Sequence, residues 1–406
     1  MKEDKTVPQL RFPEFTDAWK QRELGEIAER VTRRNSSLES QTPLTISAEY
    51  GLIDQNKFFG KRIAAKDLSN YYLIQKGEFA YNKSTSNDAP WGAIKRLDCY
   101  NNGALSTLYI VFKIKDNKSC YSDFLVTYYG TSLWHKEVKE IASEGARNHG
   151  LLNVSPSDFF RTKLVIPQDF EEQRKIGAFF TQLDNTITLQ QRKLNSLQKL
   201  KKGLLQKMFP KKGENIPEIR FPEFSDAWKQ RKFGDVLVSI QTGTNKLGSD
   251  RNSGQPLLKM GNLQSGYFDL SKLEFLENKA EPENIVKQGD FFFNTRNTLE
   301  LVGKGATWFG ESNKYAFNSN IARFTLKDIN TGFFNYLYNT NYVKKQIRAR
   351  AMGTTSVAAI YPRSLKSVDI VIPNMEEQIK LSNLFMNLDS TITLQQRWLF
   401  YTHKQS

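Results

Sequence analysis

The feature that most constrains the fold of this chain is an internal duplication. The segment RFPEFTDAWKQR at Arg11–Arg22 returns as RFPEFSDAWKQR at Arg220–Arg231, with a single difference. A second segment, Glu171–Arg192, returns at Glu376–Arg397 with 14 of 22 positions identical. We call the first segment box A and the second box B. Self-similarity at so long a period predicts two similar structural units, each carrying one copy of both boxes.

The segments between the boxes differ almost throughout. Only short similar segments remain between them, such as QKGEFAYNKS at Gln75–Ser84 and KQGDFFFNTR at Lys287–Arg296. Uniform drift after a duplication would have spread the differences evenly along the chain. We therefore interpret the boxes as binding a common partner, while the two variable segments bind different ligands. The alternative is a duplicated fold in which the boxes are only structural hinges.

The variable segments have the texture of a mixed α and β domain. Short runs of Tyr, Phe, Ile and Val are broken by Gly, Asn and Asp, which is typical of short strands joined by polar turns. One helix is predicted in each segment, at Phe124–Glu140 and at Phe333–Ala351, and each precedes a loop that contains glycine, at Gly145 and Gly353.

Box B has the pattern of a long helix. From Glu171 to Phe209 there is no proline, and apolar side chains recur at alternating steps of four and three, which is typical of a coiled-coil seam. Such a helix extends roughly 57 Å and needs a partner, which we expect to be the second copy. Gln190 and Gln395 occupy matching polar positions that specify register. The predicted seam residues are Ile176, Phe180, Leu183, Ile187, Leu194, Leu197, Leu204, Leu381, Phe385, Leu388, Ile392 and Leu399.

The charge of the chain favours a polyanionic partner. Lys and Arg number 58 against 43 Asp and Glu, a net charge of +15. The longest apolar runs are far shorter than the ~20 residues that span a membrane, and no signal peptide is visible, so we expect a cytoplasmic protein and no membrane partner. Eight basic residues and no acidic one lie between Arg192 and Lys212. They form either a solvated face or a contact with DNA phosphates or an acidic subunit.

Motifs for catalysis are missing from the sequence. It has no phosphate-binding GxxxxGK[ST] loop, no glycine-rich loop suited to an adenosyl cofactor, and too few Cys and His for a disulfide scaffold or a zinc ribbon. Asn87–Trp91 lacks the paired prolines of amino-methyltransferases. Glu171–Lys175 fits a nuclease pattern poorly, because Glu and Lys are routine on an amphipathic helix. We expect no metal or cofactor on this chain, and a shared function of binding.

The two boxes and their alternation with two unlike segments resemble the specificity subunits of type I restriction–modification systems. The resemblance rests on RFPEF…W and on EEQxKI…FF…LDxxI…QQRKL, and it covers nearly the whole chain. It implies an α+β fold in which two globular target recognition domains are separated by two long helices that form an antiparallel coiled coil. The implied organisation is domain 1 at 1–167, helix 1 at 168–210, domain 2 at 211–373, a shortened helix 2 at 374–401 and a tail at 402–406.

The resemblance also implies a function and a set of partners. The chain would recognise a bipartite, asymmetric duplex DNA target, one half per domain. It would position two modification subunits for adenine N6 methylation and restriction or translocase subunits for cleavage. S-adenosylmethionine, ATP and Mg²⁺ would then bind the partner subunits, and this chain would be non-catalytic. The alternatives are a self-contained DNA methyltransferase or nuclease, and a scaffold that binds acidic proteins.

Candidate DNA-binding residues follow from chemistry and position. Arg and Lys read guanine, Asn and Gln read adenine, and loops present them. Two corresponding loops in each variable segment carry polar side chains that differ between the halves, although solvent-exposed loops are polar in any case. The candidates for base contacts are Lys83, Ser84, Asn87, Arg147, Asn148 and His149 in the first half, and Arg296, Asn297, Thr354, Thr355 and Ser356 in the second. The candidates for phosphate contacts are Arg30, Arg33 and Arg34.

The second box B departs from the first after Arg397. The first copy continues as KLNSLQKLKKGLLQKMF, whereas the second reads WLFYTHKQS. We therefore expect that about Leu200–Phe209 of the first helix lacks its partner stretch, so that Leu204 and Met208 need cover from elsewhere. A coil frayed at that end would dock one of the two modification subunits weakly.

Overall fold

The structure is a computed structural model whose chain divides into two compact units. The units are Met1–Thr188 and Leu189–Ser406. The residues that the structure describes are 8–47, 50–87, 89–116, 118–142, 150–251, 253–354 and 357–405. Among them, no helix has the length and apolar character needed to cross a lipid bilayer.

The first unit consists of short strands and short helices followed by the beginning of one long helix. Its strands are β1 Lys20–Glu23, β2 Ala28–Arg30, β3 Leu44–Ser47, β4 Gly51–Asp54, β5 Tyr72–Gln75, β6 Phe79–Asn82, β7 Ala93–Arg96, β8 Asn102–Leu105, β9 Ile110–Ile114 and β10 Lys163–Ile166. Its helices are α1 Leu24–Ile27, α2 Gln55–Phe59, α3 Ser122–Gly130, α4 His135–Ile141, α5 Pro156–Phe160 and the first part of α6 Phe170–Lys207.

The second unit begins within α6 and repeats the same order of elements with more strands. Its strands are β11 Lys229–Lys232, β12 Leu237–Thr242, β13 Gln255–Leu258, β14 Glu274–Leu276, β15 Phe291–Asn294, β16 Arg296–Asn297, β17 Gly305–Thr307, β18 Ala316–Phe317, β19 Ile321–Leu326, β20 Met352–Gly353, β21 Ala358–Ala359 and β22 Asp369–Ile372. Its helices are α7 Phe233–Val236, α8 Thr331–Tyr338, α9 Asn341–Arg348, α10 Pro362–Leu365 and α11 Met375–Gln405, with a 3₁₀ turn at Pro282–Asn284.

The main sheet has the same strand order in both units. The order is β2-β9-β6-β7 in the first unit and β12-β19-β15-β17 in the second, with antiparallel neighbours. Phe79 and Phe112 are opposite each other in the first sheet with rings 5.3 Å apart, and Phe291 and Phe324 are opposite each other in the second with rings 5.6 Å apart. Cross-strand aromatic pairs of this kind bury a large apolar area at the centre of each unit. The predicted α+β duplication is confirmed.

The predicted single helix of each variable segment is wrong, because each is a pair of short helices. Phe124–Glu140 contains most of α3 and α4, and Phe333–Ala351 contains α8 and α9. A threonine starts a new turn at both breaks. Thr131 Oγ1 accepts a hydrogen bond from the Leu133 amide, and Thr340 Oγ1 accepts one from the Val343 amide. The apolar spacing of the sequence continues across both breaks, so the spacing alone did not indicate these local turns.

In the second unit, the last part of α6 and the helix α11 lie side by side and run in opposite directions. Gln395 Nε2 donates to Gln190 Oε1 at 2.6 Å, whereas Lys201, farther along α6, forms an ion pair with Asp389, which lies nearer the start of α11. The two glutamines are equivalent positions of the two box B copies. Of the predicted seam, Leu194, Leu381, Phe385, Ile392 and Leu399 are buried, Phe180 is 40% exposed, and the others are half-buried.

The expectation that Leu200–Phe209 lacks a partner stretch is wrong. Because the helices are antiparallel, the end of α6 faces the start of α11, which is intact. Phe209 lies 6.0 Å from Phe385 and stacks on Phe333 at 5.6 Å, and Met208 and Phe209 are each 4% exposed. Leu204 packs against the same core. The helix α11 also continues to Gln405, past its predicted end at 401.

Candidate nucleic-acid interface

In the first unit, box A is bound to box B by a buried ion pair. The Arg11 guanidinium donates from Nε and Nη2 to the two carboxylate oxygens of Glu172, at 2.6 and 2.7 Å. Trp19 Nε1 donates to the same carboxylate at 3.1 Å. Glu172 is 1% exposed, so its charge depends on these donors. The carboxylate thus has a structural role, which accounts for it without a nuclease site.

The second unit repeats this arrangement. Arg220 donates to both oxygens of Glu377 at 2.8 and 2.7 Å, and Trp228 Nε1 donates to that carboxylate at 3.3 Å. Glu377 is also 1% exposed. This contact was not predicted from the sequence. A signal for it was present, since the arginine, the tryptophan and the glutamate recur together in both copies.

A second contact between the boxes lies at the surface. Lys175 forms an ion pair with Glu14, and its ammonium lies 5.4 Å from the centre of the Phe15 ring. The hydrogen bond from Lys175 lowers the pKa of Glu14 below its usual value. The counterparts in the second unit are Lys380, Glu223 and Phe224. The charged and aromatic positions of RFPEF are therefore used to hold box B.

Box B is attached to the variable segment through its glutamine. Gln173 accepts from the Tyr121 amide at 2.8 Å, just before α3, and donates to the Pro167 carbonyl at 2.9 Å. Gln378 makes the equivalent bonds to the Asn330 amide and the Pro373 carbonyl, at 2.9 and 3.0 Å. The strand after box A pairs antiparallel with the strand before box B in both units, β1 with β10 and β11 with β22. The boxes thus join the two ends of each variable segment.

In the first unit, the turn after β6 meets the residues that directly follow the second predicted loop. Ser84 forms an antiparallel bridge with Leu151, and the Thr85 amide donates to the Gly150 carbonyl at 2.7 Å. Ser84 and Asn87 are exposed, and Lys83 is half-buried. Arg147, Asn148 and His149 lie outside the described residues, although the chain that follows them directly is part of this junction.

The predicted phosphate-contacting arginines lie at the end of β2 and just after it, and they differ in how far their charges are paired within the protein. Burial, together with the nearby charge of Arg30, lowers the pKa of Lys83. Arg30 donates to the Tyr72 hydroxyl at 3.2 Å, and the exposed Arg34 stacks on the Tyr72 ring at 4.8 Å. Arg33 forms a 2.9 Å ion pair with Glu78, so its charge is already balanced within the protein. Arg30 and Arg34 leave more positive charge for an external anion.

The second unit brings its two predicted loops together in a small sheet. Its strand order is β16-β21-β20, so that Arg296 is opposite Ala359 and Ala359 is opposite Met352. Arg296 is exposed and Asn297 is half-buried. Thr354 is exposed, and its amide donates to the Val357 carbonyl at 2.9 Å. Thr355 and Ser356 lie outside the described residues.

An equivalent asparagine turn precedes the first predicted loop in both units. Asn82 at the end of β6 accepts from the Ser84 amide at 3.0 Å, and Asn294 at the end of β15 accepts from the Arg296 amide at 3.1 Å. Such asparagine turns fix the path of the following residues. The scaffold is therefore repeated, whereas the side chain that it presents changes from Ser84 to Arg296.

The basic run at the end of α6 is partly neutralised within the second unit. Lys201 pairs with Asp389, and Lys207 and Lys211 pair with Glu218. The exposed members of the run are Arg192, Lys193, Lys199, Lys202, Lys207, Lys211 and Lys212. The positive charge of this segment is therefore only partly available to a partner.

Comparison with known proteins identifies the family. The model of the type I restriction modification DNA specificity domain matches residues 16–199 and again 225–399. The specificity subunit of type I restriction enzyme MjaVIII of Methanocaldococcus jannaschii is 23% identical over 299 residues, 70% of this chain and 67% of that one. A putative type I restriction enzyme MjaX specificity subunit of the same organism is 21% identical over 400 residues, 95% of this chain and 90% of that one.

A solved structure has the same fold. It is a type I restriction–modification S subunit from M. genitalium, with a TM-score of 0.59 at 11% identity, and the similarity covers 97% of this chain and 95% of that one. The two matches of the family model coincide with the two repeats. Each match contains the tryptophan and the glutamate of the buried contact between box A and box B, Trp19 with Glu172 and Trp228 with Glu377. The chain belongs to the family of type I restriction–modification DNA specificity domains.

Proposed function

We propose that this chain is a non-catalytic specificity subunit that recognises a bipartite, asymmetric duplex DNA target, with one half read by each unit. The observation that carries this proposal is that, in both units, the turn after an equivalent strand pairs with residues that border a second variable loop. Base edges are recognised mainly by polar side chains, and a rigid scaffold often presents such side chains from loops. Because the scaffold is repeated and the presented side chains differ, the two half-sites are expected to differ in sequence.

The repeated boxes suit a partner that is common to both halves. Their internal contacts use the buried faces, and the outer faces of α6 and α11 remain exposed along much of their length. We infer that two modification subunits dock on this repeated part and methylate adenine N6, and that restriction subunits join them for cleavage. S-adenosylmethionine, ATP and Mg²⁺ belong to those subunits in this proposal.

Exchange of one variable segment tests the proposal. The structure sets the boundaries, since β1 ends at Glu23 and β10 begins at Lys163. The chain is co-expressed in cells with a modification subunit, and adenine methylation is mapped across the genome. Replacing residues 24–162 with the equivalent segment of a relative should change one half of the methylated sequence and leave the other half intact.

The matched control is the same exchange in the second unit, between the end of β11 and the start of β22, at residues 233–368. It should change the other half only. A change in both halves from a single exchange would contradict two independent readers. Methylation or cleavage of DNA by the purified chain, supplied with cofactor but with no other subunit, would instead support a self-contained enzyme.

A further inference from the structure

The small sheet of the second unit has one buried face and one exposed face. Opposed residues of neighbouring strands share a face, so Arg296, Ala359 and Met352 form one row, and Asn297, Ala358 and Gly353 form the other. In the second row, Ala358 is fully buried and Asn297 is half-buried, whereas Gly353, which has no side chain, is exposed. The first row faces solvent, with an exposed Arg296 and with Met352 64% exposed.

The exposed row combines positive charge with apolar side chains. Within the described part of the chain, the Arg296 guanidinium has no carboxylate partner. Val357, just before β21, is 67% exposed, and Tyr361, just after it, is 50% exposed with the Arg363 guanidinium 5.8 Å from its ring. Clustered exposed apolar side chains are unfavourable in water and mark an interaction site. Together with an arginine that has no carboxylate partner, they suit a partner with both polar acceptors and methyl groups.

We propose that this exposed row enters the major groove of the second half-site, where Arg296 reads a guanine and Met352 and Val357 contact the 5-methyl group of a neighbouring thymine. The inference rests on the proposed function and names the bases that one of its surfaces reads. The major groove admits a two-stranded β-ribbon, which β20 and β21 form. It also presents the guanine O6 and N7 acceptors and the thymine methyl on the same side of the base pairs.

The first unit supports the assignment by contrast. The equivalent turn presents Ser84, and its neighbour across the bridge is Leu151. A serine hydroxyl bonds several base edges, whereas an arginine fork matches guanine. The guanine and thymine preference is therefore assigned to the second half-site.

Deoxyuridine provides the test, because it lacks only the 5-methyl group of thymine. The full-length chain, co-purified with a modification subunit, is used to select its preferred sequence from a pool of randomised duplex DNA. Each thymine of the second half-site is then replaced by deoxyuridine, and affinity is measured at one fixed salt concentration. At one or two positions beside a guanine, binding should weaken about fourfold, which corresponds to one buried methyl group.

Substitutions on the exposed row test whether its side chains cause the discrimination between thymine and uracil. Met352→Ala combined with Val357→Ala should abolish discrimination between thymine and uracil, and Arg296→Ala should relax the choice of the adjacent guanine. Leu247→Ala is the matched control, since Leu247 is a 93% exposed apolar residue elsewhere in the second unit. It should leave the discrimination unchanged.

Several results would overturn the inference. A second half-site without thymine next to guanine would do so, as would deoxyuridine substitutions that leave affinity unchanged at every position. Discrimination that persists in the double variant would place the methyl contact elsewhere. A double variant that loses modification subunits while it keeps its DNA preference would identify a protein-docking surface instead. If no sequence is enriched at all, the proposed function itself fails.

Discussion

Among single residues, the second glutamate of the EEQ motif is central to each unit. Glu172 and Glu377 are almost completely buried, and each receives three hydrogen bonds from box A. A buried carboxylate is unfavourable without such donors, and an arginine left without its carboxylate is unfavourable as well. The arginine and the tryptophan of box A therefore depend on the glutamate of box B in the same unit, and the glutamate depends on them.

Glu377→Ala is expected to destabilise the second unit by about 3 kcal/mol, because it leaves Arg220 and the Trp228 indole without their acceptor. Calorimetric unfolding of the full chain measures the effect. Glu376→Ala is the matched control, since Glu376 is the exposed neighbour and its contact with Lys380 is 3.7 Å long. The control should change stability by less than about 0.5 kcal/mol. Equal losses in the two variants would contradict a structural role for the buried pair.

At this scale, the sequence predicts which positions matter better than it predicts what they contact. The boxes were identifiable because they recur. Their contact was not predicted, because Arg11 and Glu172 are far apart in the chain and only the fold brings them together. The location of the candidate loops was predicted from their repeated position, and their proximity depends on backbone pairing such as that of Ser84 with Leu151.

At the scale of elements, each long helix packs closely on a short helix of its variable segment. In each unit, a glycine on one of these two helices makes room for the other helix. Gly177 of α6 lies against the start of α3, where a methyl group would come within 2.7 Å of the Phe124 amide nitrogen. Its counterpart in α11 is the buried Ser382, which lies against Gly332 of α8. The glycine is thus on the long helix in the first unit and on the short helix in the second.

Gly177→Ser is expected to destabilise the first unit by about 1–3 kcal/mol, because the added atoms meet backbone that has little freedom to move. Helix propensity alone predicts the opposite sign, since serine is the better helix former. Calorimetric unfolding decides between the two effects.

Ser382→Gly provides the matched control in the second unit. It adds no atoms, so its cost should be limited to about 1 kcal/mol from propensity and a small lost contact. A stabilising effect of Gly177→Ser would contradict close packing of α6 on α3.

The long helices were predicted from the sequence, whereas the breaks between the short helices were not, and the difference has a physical reason. The long helices were evident because their apolar spacing continues for many turns without proline. At the break between α3 and α4, Thr131 forms a local turn, and at the break between α8 and α9, Thr340 caps α9. Both features leave the apolar spacing intact. The two copies of box B differ at their C-terminal ends, but the antiparallel direction places the end of α6 against the start of α11. Leu200–Phe209 therefore keeps a partner, contrary to the expectation from the sequence.

For the whole molecule, the net charge of +15 makes a prediction about salt. Part of that charge is balanced locally, as in the pairing of Arg33 with Glu78, so the number of phosphate contacts is expected to be well below the number of basic residues. If about six phosphates are neutralised, affinity for duplex DNA should fall by about a thousandfold between 50 and 200 mM salt.

The measurement is a titration of DNA binding at several salt concentrations, with a duplex of unrelated sequence as the control. Both duplexes should show a similar slope, since phosphate contacts carry no sequence information. An affinity that hardly changes with salt would mean that the net charge of the chain has no part in binding.

The closure of each unit by its own boxes also has an evolutionary consequence. Because β1 pairs with β10 and Arg11 binds Glu172, both ends of the inserted segment are fixed to one another whatever lies between them. Genetic recombination within the boxes would therefore transfer a segment whose ends match their new surroundings, provided that its short helix also fits the residue of box B at Gly177 or Ser382. Loops in the transferred segment are free to lengthen, shorten or change charge without disturbing the junction. Such a transfer would change both variable loops of one unit in a single step, whereas a point mutation changes one side chain.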